Sequence, residues 1–362
     1  MGAVGLKTHI WNNNLKSMLL LAGFPVLLIG LIYCVQLMLI GYAGGGDGKD
    51  GLAGGFATSA SWLVATAPLA LALSGGWYGV AFFAHNGIIS MATGSRKVER
   101  RTEPELFNLL ENLAISRGMR TPDLYVIESD QLNAFASGLT ERQYRVTVTR
   151  GLLQTLNRDE VECVLAHELT HIINRDVRLM VIAGVFAGII SLIAQIVFRV
   201  LVHSGGSGSR RSRSSGGGGG AGAFILIGLV AAAVSYVLAI VIQLAISRRR
   251  EFIADAGAVE LTKNPDSMIS ALQKISGRAR IQAPQQIRAM FFENDQDRGF
   301  LGLFATHPPI PKRIEALVRY AGGREPDALN PSRDVPFEQS MIAAQTAQTA
   351  PAAEGHERGP WG

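Results

Sequence analysis

Leu165-Ala166-His167-Glu168-Leu169-Thr170-His171-Ile172-Ile173-Asn174-Arg175-Asp176 is the stretch around which the rest of the chain is read. The i, i+4 spacing of His167 and His171 puts both imidazoles on one helical face, one turn apart, where they can share a single tetrahedral ion. Glu168 can lean over an open coordination position, take a proton from water there and later deliver it to a leaving amine. The same pattern also arises by chance on helices with two surface histidines. Just upstream, Asn157 and Glu160 form a capping box, and Val161, Val164, Leu165, Leu169, Ile172 and Ile173 follow at helical spacing.

A second motif, Glu251-Phe252-Ile253-Ala254-Asp255, places two carboxylates at i, i+4. Glu251 can complete a His-His-Glu set for zinc, leaving a fourth position to water. Asp255 can accept a hydrogen bond from the far nitrogen of a liganding histidine, fixing its tautomer. The competing reading of Glu251 is a salt bridge to Arg248, Arg249 or Arg250. Within the first helix, Glu162 points away from the histidine face. Asp176 lies well round the helix from His171, so neither is expected as a ligand.

Outward from these motifs, composition points to a membrane. Of the 362 residues, 48% are hydrophobic and only 17% charged, against roughly 25% charged in ordinary soluble domains. Four stretches have the length and apolarity to span a bilayer: Met18–Ile40, Ser61–Phe83, Val177–Val202 and Ala221–Ile246. The net charge of +5 does not imply nucleic-acid binding, because the basic residues flank apolar stretches and no basic face carries interleaved aromatics. Arg96, Lys97, Arg100 and Arg101, beyond the second stretch, place the N-terminus and residues 96–176 in the cytoplasm. The Gly/Ser-rich loop Ser204–Gly220, with Arg210, Arg211 and Arg213, would then lie outside, against the same rule.

Residues 103–176 read as mixed α and β. Thr102 with Glu105 suggests a capping box, and residues 124–127 and 144–149 read as short strands. Cys34 and Cys163 form no paired framework, and Cys163 reads as a small buried core residue. The expected organisation is a two-span region at 1–95 and a first peptidase segment at 96–176. A membrane hairpin at 177–247, a second peptidase segment at 248–322 and a disordered tail at 323–362 follow.

Five blocks together resemble the HtpX-like zinc metalloproteases, relatives of the CAAX prenyl endopeptidases. They are LNAFASG (132–138), GLL (151–153), LAHELTHIINRD (165–176), SRRREFIADAGA (247–258) and LFATHPPIPKRIEAL (303–317). The resemblance implies an α+β zincin-like, gluzincin-type peptidase with a small sheet and about four transmembrane helices. It implies one zinc ion on His167, His171 and Glu251, Glu168 as general base, and Asp255 supporting a ligand. Asn133, Ala134, Phe135 and Ala136 match the family's substrate-pairing edge strand. His307 is a candidate oxyanion stabiliser, although packing of the last helix explains it nearly as well. The implied setting is a bacterial inner membrane, with the active site facing the cytoplasm and quality control of membrane proteins as the role. Expected partners are unfolded or damaged membrane proteins and the lipid bilayer, with a homo-oligomer left open. The Arg/Gly/Ser-rich 204–220 loop and the tail past 322 depart from the family pattern.

Two other function classes compete. A membrane scaffold or holdase with structural zinc would have no use for Glu168 beside an open position. A metal transporter would carry its ionisable groups in mid-span, whereas these lie at the span ends.

Overall fold

The computed structural model describes residues 6–42, 51–183, 226, 249–276, 310–324 and 335–349. Two long helices come first, α1 (Leu6–Tyr42) and α2 (Gly51–Thr93), and they pack against each other. Within them Ile10–Leu37 and Ala53–Val80 are long and apolar enough to cross a bilayer. Large apolar side chains such as Val64, Leu73 and Phe83 stand exposed on α2, as a lipid-facing helix requires. The other two expected spans, 177–202 and 221–246, lie outside the described residues apart from 177–183 and Leu226.

A four-stranded mixed sheet follows, built from β1 (Arg96–Val98), β2 (Asp123–Ile127), β3 (Ala134–Ser137) and β4 (Arg145–Thr149). Its order is β1-β2-β4-β3, with β2 and β4 parallel and the outer pairs antiparallel. β4 is central and buries four of its five residues, consistent with its run of β-branched side chains. β1 arises inside the basic flank that the sequence reading treated only as an orientation signal. There Lys97 pairs with Asp123 at 3.0 Å and Arg96 with Glu128.

Between β1 and β2 lies α3 (Pro104–Ser116), whose expected Thr102/Glu105 capping box does not form. The N-cap is Glu103, because Pro104 occupies the first helical position, where its fixed φ suits a helix start. The Thr102 hydroxyl instead donates to the Glu99 carbonyl at 2.9 Å. A short helix, α4 (Arg150–Thr155), leads into α5 (Arg158–Ile173). At the start of α5 the Asn157 capping box is complete: Asn157 Oδ1 accepts from the Glu160 amide at 3.0 Å, and Glu160 Oε2 accepts from the Asn157 amide at 2.8 Å.

α5 runs through the core between the sheet and two later helices, α6 (Arg249–Thr262) and α7 (Pro265–Ile275). Every residue from Cys163 to Ile172 is buried. Gly257 on α6 faces Thr170 so closely that a Cβ there would lie 2.4 Å from Thr170 Cγ2. Thr170 is β-branched and stiff, so glycine is what lets the two helix backbones approach.

α8 (Ile310–Ala321) packs on α6 and α7. The tail is not wholly disordered as expected: α9 (Phe337–Thr349) is helical, and Phe337 is fully buried with its amide donating to the Leu156 carbonyl at 2.7 Å. Phe337 in the core and Met341 packed against it hold this helix, too short a pattern for an apolar period to announce it.

Candidate metal centre

The pairing of α5 with α6 brings His167, His171 and Glu251 together. Each offers one ligand atom, and these atoms lie within 4.8 Å of one another, all on buried residues. His167 Nε2 is 3.1 Å from His171 Nε2, and Glu251 reaches them at 3.5 Å (Oε2 to His167) and 3.7 Å (Oε1 to His171). Two imidazole nitrogens and a carboxylate oxygen converging on one point, next to a further buried carboxylate, match the donor set of an open catalytic metal site.

The outer nitrogens are also engaged. His167 Nδ1 faces Asp255 Oδ1 at 2.9 Å, and His171 Nδ1 faces Asp176 Oδ2 at 3.0 Å. The Asp176 contact leaves His171 Nε2 turned to the centre, and the Asp255 carboxylate lies against the outer nitrogen of His167. Asp255 is one turn beyond Glu251, as the i, i+4 spacing requires. Helical period carries Asp176 well round from His171, yet the fold sets its carboxylate against the outer nitrogen of that imidazole. Arg175 adopts a left-handed conformation (φ 60°) that ends α5 and folds Asp176 back beneath His171. The only local sign is that α5 gives way to Asn174-Arg175 just before an acidic residue.

Buried arginines compensate this concentration of carboxylates. Arg313 from α8 is 1% exposed and donates to both oxygens of Asp255, from Nη2 at 2.6 Å and from Nε at 2.9 Å. Burial alone would raise the Asp255 pKa, but the charge and hydrogen bonds of Arg313, aided by His167, hold it below the usual aspartate range. Nothing in the sequence singled out Arg313. Arg250 Nε lies 3.0 Å from Glu251 Oε1, so the salt bridge once weighed against a metal role coexists with the cluster.

Burial lowers the His171 pKa, yet Glu251 and Asp176 more than offset that and raise it to about 10. Without a cation the imidazole holds a proton there, and a metal entering the site must displace it.

Glu168 is 2% exposed. Burial lifts its pKa above the ordinary carboxylate value, while both histidines and a hydrogen bond from the Ala136 backbone act in the opposite direction. That bond ties Glu168 to β3, which pairs only with β4 among the described residues. The Thr149 amide donates to the Asn133 carbonyl at 3.0 Å. By antiparallel alternation, Ala134 and Ala136 therefore turn their backbone groups to the open edge of the sheet. The Asn133 side chain covers the Ala134 amide at 2.9 Å.

Cys163 takes no part in the cluster. Its sulfur sits near Thr262 and Asn264, and burial pushes the thiol up to about 12. His307 lies outside the described residues.

The family model for Peptidase family M48 matches residues 100–321, which include all of these groups. The chain belongs to peptidase family M48. Among curated relatives, this M48 peptidase is similar to a "Protease HtpX homolog" of Bacteroides fragilis, with 39% identity over 328 residues, 88% of this chain and all of that one. It is also similar to a "Protease HtpX homolog" of Streptococcus thermophilus, with 35% identity over 292 residues, 79% of this chain and 94% of that one. The crystal structure of S. mikatae Ste24p aligns with a TM-score of 0.44 at 21% identity, covering 68% of this chain and 57% of that one.

Proposed function

We propose that this M48 metallopeptidase is a zinc endopeptidase held in a bacterial inner membrane, where it cleaves unfolded or damaged membrane proteins. The observation that carries the reading is the convergence of His167, His171 and Glu251 within 4.8 Å beside buried Glu168. Nitrogen and carboxylate donors in this number suit zinc. Bound there, zinc would supply Lewis acidity at the open position. The protein does the rest. Glu168 takes the proton of the attacking water and passes it to the leaving amine. Asp255 and Asp176 hold the two imidazoles in register.

The substrate enters as an extended segment added to the open edge of β3, along Ala134, Phe135 and Ala136 next to Asn133. Because Glu168 is bonded to Ala136, a segment on that edge would pass beside the carboxylate. His307 remains the candidate for stabilising the oxyanion. The outward apolar side chains of α1 and α2 support insertion in lipid, with membrane proteins as the substrates delivered alongside.

Purified protein is expected to carry one zinc per chain and to cut an unfolded membrane protein. The cleavage should stop on chelation and return with added zinc; an undiminished rate after complete metal removal would overturn the reading. The cytoplasmic orientation rests on the basic flank at Arg96, Lys97, Arg100 and Arg101. A reporter fused after Arg150 should behave as cytoplasmic, and extracytoplasmic behaviour reverses the assignment.

A further inference from the structure

One side chain from the first membrane helix reaches the metal centre. Asn13, on α1, is 4% exposed, and its Nδ2 donates to Asp176 Oδ1 at 2.7 Å and to the Asn174 carbonyl at 3.0 Å. The second Asp176 oxygen, Oδ2, meets His171 Nδ1 at 3.0 Å. Two hydrogen bonds therefore run in series from α1 to an imidazole of the cluster. Asp176 has one oxygen for each, so anchoring the first fixes the direction of the second.

The neighbouring residue adds a second grip. Arg175, in its left-handed conformation, donates from Nη1 to Asn14 Oδ1 at 3.1 Å. Adjacent asparagines on α1 thus hold the turn that brings Asp176 under His171. Leu20 and Leu21, further along α1, pack against Ile182 in the helical stretch that follows that turn.

We propose that Asn13 is a positioning residue of the metal centre, through which the seating of the first membrane helix orients Asp176 and, through it, His171. The inference rests on His171 being a metal ligand. It makes the N-terminal helix part of the catalytic apparatus as well as an anchor. A change in how α1 sits in the bilayer would then reach the metal through two bonds, without any contact between α1 and substrate.

The test uses the full-length protein in detergent and reads metal affinity by chelator competition, with the absorption spectrum of the cobalt-loaded protein as an independent report on ligand geometry. Asn13→Ala should weaken metal binding ~10-fold, at the lower end of what loss of a ligand's supporting partner produces, and should shift the cobalt bands. Asn14→Ala breaks only the exposed bond to Arg175 and should weaken binding less than Asn13→Ala does. In an Asp176→Ala background the effect of Asn13→Ala should shrink to a small remainder, since of its two bonds only the one to the Asn174 carbonyl is left to remove. Asn13→Asp keeps the shape while removing the donor, and covers the case in which the alanine variant does not fold. It should weaken binding at least as much. Wild-type affinity in folded Asn13→Ala or Asn13→Asp overturns the proposal. So does an undiminished effect in the Asp176→Ala background, which would mean only a general loosening of α1. A wild-type protein that binds no metal overturns the ligand reading of His171 and this inference with it, whereas metal-loaded wild type with an indifferent Asn13 overturns this inference alone.

Discussion

Glu168→Gln should retain its metal and lose cleavage by ~10²–10⁴-fold, the contribution of a positioned general base. The substitution preserves shape, and the amide oxygen can still accept the bond from the Ala136 backbone that the carboxylate receives. None of the three converging ligand atoms belongs to Glu168, so metal content should be unchanged. The pH profile offers a second check. Burial raises the Glu168 pKa, and a base works only when ionised. Wild-type kcat/KM should therefore fall as pH drops through that raised value and recover above it. The residual activity of Glu168→Gln should lack this acid limb. Undiminished turnover in metal-loaded Glu168→Gln would remove Glu168 from the mechanism.

Glu251→Ala should release the metal and abolish cleavage together, where Glu168→Gln separates the two losses. Glu251 is fully buried and presents a different oxygen to each histidine, at 3.5 and 3.7 Å. Without it only two imidazoles remain, too few for the closed side of a zinc site. The electrostatics make matters worse. Arg250 Nε at 3.0 Å and Arg313 Nη1 at 3.9 Å lose the carboxylate that faces them, leaving buried positive charge beside a cation site. Removing one partner of such a buried arrangement costs about 3–5 kcal/mol, so the metal-free variant should also melt earlier. Asp255→Ala provides the contrast. It leaves the three ligands in place and removes the group that orients His167, so affinity should drop ~10–100-fold without vanishing. Tightly held stoichiometric zinc in folded Glu251→Ala protein would require a different third ligand.

Local order along the chain was enough to write down the helix that carries the candidate centre. The Asn157–Glu160 box sets where α5 begins, and its 3.6-residue period then puts His167 and His171 on one face with Glu168 between them. The same period puts Asp255 one turn from Glu251 on α6. Strands β2 and β4 were legible from short runs of β-branched and apolar residues, within a residue of their ends. The edge position of β3 was different: it came from the family resemblance, since four buried residues in a row carry no alternation to read.

Tertiary structure decided which far-apart residues support the centre. Arg313 lies in the 303–317 block with no local feature to mark it, and only the packing of α8 on α6 sets its Nε and Nη2 on Asp255. Asp176 looked misplaced because a straight helix would carry it away from His171. The left-handed turn at Arg175 brings it back, and Asn13, 163 positions away in sequence, holds it there. Phe337 belonged to a polar tail until the fold buried its ring and joined its amide to the Leu156 carbonyl. Helical period and capping act between residues a few positions apart and can be read from a string of letters. Hydrogen bonds that orient a metal ligand act across space, and only the packing of α1, α5, α6 and α8 determines which side chains come within 3 Å of each other.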